Sequence, residues 1–152
     1  MIKYKFENKL DREFASAMRA RVNGYFQDNE IHRNANNQMI IKTVAILSMY
    51  LIPYGLLILG GFTSLPLLMG LWMIMGIGKA FIGTTIMHDS IHGSYFKKKS
   101  MNAIMELSAA IVGVDRLIWY IQHNVLHHTY TNIEHTDEDI LPRIVFRYST
   151  NQ

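Results

Sequence analysis

Cysteine is absent from this 152-residue chain, which excludes disulfides, thiolate metal sites and cysteine nucleophiles together. Any metal held here takes nitrogen or oxygen ligands. Charge is also scarce: 18% of the residues are Asp, Glu, Lys or Arg, against about 25% in an average soluble protein. The deficit is concentrated between Thr43 and Met87, where Lys79 is the single charged residue. The net charge of +3 is small and its carriers flank that stretch, which speaks for membrane topology and against nucleic-acid binding. An early apolar run is lacking as well, so no cleavable signal peptide is expected.

What is present is helical throughout. From Asp11 to Phe26, Phe14, Met18, Val22 and Tyr25 recur at helical spacing among Arg12, Glu13, Arg19 and Arg21, which predicts an amphipathic helix. It either packs on the rest of the domain or lies on the cytoplasmic leaflet. His32, alone in the polar run that follows, reads as a solvated loop histidine. Thr43 to Phe62 runs for twenty residues without a charge, and a helix of that length spans roughly 30 Å of hydrocarbon. Leu67 to Met87 is a second such run, with Pro66 suited to its first turn. Its Gly70, Gly76, Gly78 and Gly83 are expected to let a neighbouring helix approach closely.

The fold class expected is therefore all-α, an integral membrane helical hairpin of two transmembrane helices with cytoplasmic helices around it. Its divisions are a cytoplasmic N-terminal segment at 1–42, the hairpin at 43–87 and a cytoplasmic region at 88–152. Eight Lys and Arg precede Thr43, the hairpin tip has none, and Lys97, Lys98 and Lys99 follow the second run. The positive-inside bias then puts both ends in the cytoplasm. Met101 to Ile121 carries Glu106, Asp115 and Arg116, too many charges for a third crossing, and is expected to form one interfacial or re-entrant helix.

The histidines are unevenly placed. His88 and His92 stand four apart where the second run should leave the membrane, and His123 and His127 repeat that spacing with His128 adjacent. Positions i and i+4 share a helix face, so each pair can converge on one ion. Imidazole suits zinc, iron, copper and nickel, so ligand type alone leaves the metal open. Five histidines are more than one zinc needs, which points to more than one ion. Asp89, Asn124, Glu134 and Asp137 are candidates to orient the imidazoles, with solvated polar roles as the alternative. Trp119 is a candidate to line a tunnel or to anchor at the membrane interface. His135 reads as a further ligand or a loop residue.

The words HDSIH at 88–92 and HNVLHH at 123–128, followed by TYTN, resemble the first two histidine boxes of the integral-membrane fatty acid desaturases, HxxxH and HxxxHH. The wording around them is most similar to bacterial acyl-CoA desaturases of the linoleoyl-CoA or front-end type. That resemblance implies two non-haem iron ions held by His88, His92, His123, His127 and His128 at the cytoplasmic face of a bacterial inner membrane. It implies O2, an acyl-CoA or acyl-lipid substrate and an electron donor of cytochrome b5 or ferredoxin type, with a cis double bond as the product. The family carries a third box, HxxHH or QxxHH, after a second hairpin, and no histidine follows His135 here. By that pattern the chain resembles the N-terminal half of a desaturase and is expected to be inactive alone. The alternatives are a membrane di-iron hydroxylase and a non-catalytic metal-binding membrane remnant.

Overall fold

The computed structural model describes residues 9–131 together with 133, 136, 137 and 139. Among them the secondary structure is helical without a strand, in agreement with the expected fold class. Helix α1 (Lys9–Asp28) covers the predicted amphipathic segment and runs through Asn23 and Gly24. Its apolar positions stay exposed, from 48% at Val22 to 70% at Leu10 and Phe14. Arg33 in the following loop holds its end, with the guanidinium over the Phe26 ring and a hydrogen bond to the Asn23 side chain.

Helix α2 (Asn37–Leu59) begins six residues before the uncharged run. Hydropathy marks where lipid begins, whereas the helix begins where its first amides find an acceptor: the Asn36 side chain takes the Met39 N–H at 3.0 Å. The helix stops at Leu59, and Gly61 turns the chain with a φ of 57°. Helix α3 (Leu65–Phe81) starts with proline in its first turn and packs back along α2 as an antiparallel hairpin. Gly78 makes the close approach. A β-carbon there would lie 2.9 Å from the backbone of Met49 and Tyr50, whereas one at Gly70 or Gly76 would meet nothing within 4 Å. The expectation that all four glycines serve helix contact is narrowed to two: Gly78 at the crossing with α2, and Gly83, where a β-carbon would stand in ordinary contact, 3.6 Å from the Val112 side chain.

After Phe81 the coil widens into a π-helical segment, π1 (Ile82–Met87), and tightens again into α4 (His88–Ile91). The whole stretch Leu65–Ile91 is continuous, and among the described residues it and α2 are the two helices long and apolar enough to cross a membrane. Ile82 and Ile86 are fully buried and join Ile46 of α2 in the main apolar cluster, with Ile111 and Val112 against it.

Residues 101–121 do not form the single helix expected. Three short ones appear instead: α5 (Lys99–Met105), α6 (Ser108–Val112) and α7 (Arg116–Trp119). Gly113 ends α6 in the left-handed conformation at φ 80°, and the Asp115 carboxylate caps α7 by accepting the Ile118 N–H. These breaks let the chain fold back over π1, where α6 packs, rather than continue straight. A second π-helical segment, π2 (Tyr120–His127), and the short α8 (His128–Tyr130) carry the remaining histidines.

Candidate metal centre

The two histidine words lie on different elements, and the fold brings them face to face. His88 opens α4 and His92 ends it, one turn apart, with ring centroids 4.5 Å from each other. Gly93, at φ 69°, turns the chain away directly afterwards. His123 and His127 lie one turn apart on π2 with their rings near parallel at 5.1 Å, and His128 stands edge-on to both. Between the two groups the rings meet closely: His88 to His123 is 5.2 Å, His92 to His123 is 5.3 Å and His92 to His128 is 4.8 Å. All five sequence-nominated histidines thus share one cluster.

Donor atoms of His88, His92 and His123 all lie within 4.8 Å of one another, close enough to converge on one cation. His123, His127 and Asp139 form a second such group. The Nε2 atoms of His92 and His123 are buried and have no hydrogen-bond partner. A buried polar atom left so is costly unless something outside the chain engages it.

Three carboxylates fix the rings from behind. His88 Nδ1 meets Asp89 at 2.9 Å, His127 Nδ1 meets Asp137 at 2.9 Å, and His123 Nδ1 meets Asp139. An ionised carboxylate only accepts, so each contact places the proton on Nδ1 and leaves the Nε2 lone pair on the ring edge away from the carboxylate. This is the arrangement found behind metal-bound histidines. Asp137 is itself buried and also accepts the Asp139 backbone N–H at 3.2 Å, which ties its carboxylate to the backbone that carries Asp139.

Electrostatics favour the same state. Burial, then the neighbouring His88, His128 and His123, push His92 down to about 4, and burial with His123 and His127 lowers His128. Both imidazoles are therefore neutral at pH 7, the form that binds a cation. Orphaned buried nitrogens, lone pairs aimed inward and neutral rings together fit a nitrogen-ligated transition metal.

Of the other sequence nominations, Asp89 and Asp137 orient imidazoles as suggested. Asn124 instead donates its side-chain amide to the Ile91 carbonyl at 3.3 Å, tying π2 to α4. Glu134 and His135 lie outside the described residues. His32 is exposed and apart from the cluster. Sequence reasoning missed Asp139, whose partner His123 is sixteen residues away, although the acidic run that holds it was visible. It also missed the place of Trp119, whose indole stacks on His123 at 4.3 Å and stands edge-on to His88 and His92, 5.8 Å from each. Its spacing of four from His123 was the available signal.

Comparison with known proteins bears on this geometry directly. A model of the family described as fatty acid desaturase matches residues 63–151, which contain α3 and both histidine words. The chain is 36% identical over 131 residues to an acyl-lipid (8-3)-desaturase of Physcomitrium patens, covering 86% of this chain and 27% of the relative. It is 34% identical to an sn-1 linoleoyl-lipid 6-desaturase of Arthrospira platensis, over 84% of this chain and 34% of that one. A protein of the same name from Synechocystis sp. is 29% identical over 90% of this chain and 37% of its own. The chain thus spans about a third of the length of these curated relatives. No solved structure matches it.

Proposed function

The chain belongs to the fatty acid desaturase family, and from that premise we propose that it serves the O2-dependent introduction of a cis double bond into an acyl chain carried on a lipid. The observation that carries this reading is the five-histidine cluster with three Nδ1–carboxylate pairs, seated at the end of an apolar helical hairpin. In this reading His88, His92, His123, His127 and His128 are ligands to two non-haem iron ions. When bound, iron supplies the oxidising power that an unactivated methylene requires, which side chains alone lack. The names of the relatives, which include acyl-lipid and linoleoyl-lipid desaturases, favour an acyl-lipid over an acyl-CoA.

The chain's own residues have defined tasks. Asp89, Asp137 and Asp139 hold the Nδ1 protons of their histidines and so aim each Nε2 at the centre. Trp119 covers His88, His92 and His123 with an apolar surface and limits the water that reaches them. The hairpin α2/α3 holds the cluster at the membrane's edge, with residues 1–42 and 88–152 on the cytoplasmic side of a bacterial inner membrane. There a cytochrome b5- or ferredoxin-type donor has access.

This chain alone is expected to be inactive for want of a third histidine box, so the test is gas chromatography of fatty acids from cells making a full-length form that carries one, together with the iron content of that purified protein. The expected result is a new cis-unsaturated fatty acid and bound iron, both lost in His127→Ala. No new unsaturation with any acyl donor overturns the reading, and an oxygenated product replaces it with a hydroxylase.

A further inference from the structure

A second built feature lies apart from the histidines, where the loop after α1 meets the loop after α4. A cleft of about 340 Å³, at the small end of ligand sites, is lined by His32, Asn34, Ala35, Phe96, Lys97, Lys98 and Met101. Its walls come from segments some sixty residues apart, yet they are fixed to each other. The Ala35 N–H donates to the Tyr95 carbonyl at 2.8 Å, and the Asn34 side chain donates to the Ser94 carbonyl at 2.9 Å. Buried Asn102 clamps the Phe96 backbone from both sides, accepting its N–H at 2.7 Å and donating to its carbonyl at 2.9 Å. Buried Tyr95 in turn donates to the Met39 carbonyl in the first turn of α2, and its hydroxyl also pairs with Thr43. The cleft is therefore pinned at the level where the first hydrophobic helix begins.

Its chemistry is one-sided. Two lysines and a histidine line it and no carboxylate does; Asp89, which lines the adjoining cleft, is paired with His88. Phe96 and Met101 give it an apolar floor. Cations over an apolar floor, at the boundary between a membrane-length helix and water, match a ligand that is anionic at one end and greasy at the other. A lysine ammonium meets a phosphate as a compact point charge and needs no special fork geometry.

We propose that this cleft seats the phosphate of a glycerophospholipid headgroup, with Lys97 and Lys98 on the phosphate and Phe96 and Met101 against the start of its chains. The proposal goes beyond the desaturase reading and rests only on α2 and α3 lying in a membrane. The experiment is native mass spectrometry of the protein released from vesicles holding equal amounts of phosphatidylglycerol and a galactolipid with the same acyl chains. The phosphate lipid is expected to be retained over the galactolipid by about thirtyfold, the scale of two lysines at an anionic surface. The preference is expected to vanish in Lys97→Gln/Lys98→Gln and to survive in Lys99→Gln, which lies outside the cleft.

No preference in the wild type overturns the proposal, as does an equal loss in Lys99→Gln, which would mark diffuse attraction. Displacement of the lipid by millimolar inorganic phosphate assigns the site to a soluble phosphate and overturns the lipid. Metal content measured in the same samples separates this from the histidine reading. It is expected to be unchanged in the lysine variants, while His127→Ala keeps the lipid preference.

Discussion

The indole of Trp119 lies on the imidazole of His123 with the two planes only 24° from parallel. One turn of helix separates them in sequence, and the same indole closes against His88 and His92 from the other histidine word. A single apolar side chain thus contacts three of the five rings and sets where they stand.

Trp119 is expected to report on the centre as well as shape it. The chain has one other tryptophan, Trp72, sixteen residues before His88 and about 24 Å away along the helix. Titrating cobalt(II) into the metal-free protein should quench most of the tryptophan emission, and Trp119→Phe should abolish that response. Trp119→Ala should weaken cobalt affinity severalfold, since an aromatic pair contributes roughly 0.5–1.5 kcal/mol. Quenching that persists in Trp119→Phe would place the metal elsewhere.

Asp137 holds His127 from a buried position, and Asp137→Asn replaces an acceptor by a group that can present an amide instead. Metal affinity measured by the same titration should fall about 10–100-fold while the helical circular dichroism is kept. An affinity equal to the wild type would show that the carboxylate serves packing only.

Acid should destabilise the metal-free protein in a defined window. His92 stands at about 4 in the folded chain, pushed down first by burial and then by its neighbouring histidines, against an ordinary 6.5 when unfolded. Between those values the unfolded chain binds the extra proton, so stability is full above pH 6.5 and falls as the pH drops toward 4. His128, lowered for the same reason, acts in the same direction. Thermal unfolding in detergent should show a Tm that declines over that range, with a shallower decline in His92→Asn. Superimposable pH profiles for the two proteins would contradict this.

Two glycines two residues apart should respond differently. Gly78→Ala drives a methyl into the backbone of α2 and is expected to cost about 1–3 kcal/mol, lowering Tm. Gly76→Ala meets open space and should be neutral or stabilising by up to about 1 kcal/mol through helix propensity. Equal effects would mean that α2 and α3 do not cross at Gly78.

Because the chain has no cysteine, single cysteines report topology cleanly. Thr63→Cys at the hairpin tip should react with an impermeant maleimide in intact cells, and Lys98→Cys only after permeabilisation. The reverse pattern would invert the hairpin and with it the cytoplasmic placement of the histidines.

Much of this architecture was legible in the sequence because it follows from short-range rules. Twenty uncharged residues make a membrane-length helix, and a proline suits the first turn of the next. Histidines four apart meet on one face, and both pairs do. What was not legible depends on contacts between distant residues. No spacing rule singles out Gly78 among four glycines, or pairs His123 with Asp139. The break of residues 101–121 was signalled locally by Gly113 and Asp115, but the apolar pattern on either side suggested continuity. The wide coils π1 and π2 have no sequence signature at all.

One of those coils sets how the chain can tolerate changes in length. A π turn closes its hydrogen bond over one more residue than an α turn does, so residues 82–87 store slack where the rest of the span has none. A single deletion there can be taken up by tightening the coil to ordinary α-helix, leaving both ends where they are. The same deletion between Pro66 and Phe81 has nothing to absorb it, and would turn everything beyond it by about 100°. The membrane anchor and the histidine face are in that sense spliced together, with the splice placed just before His88.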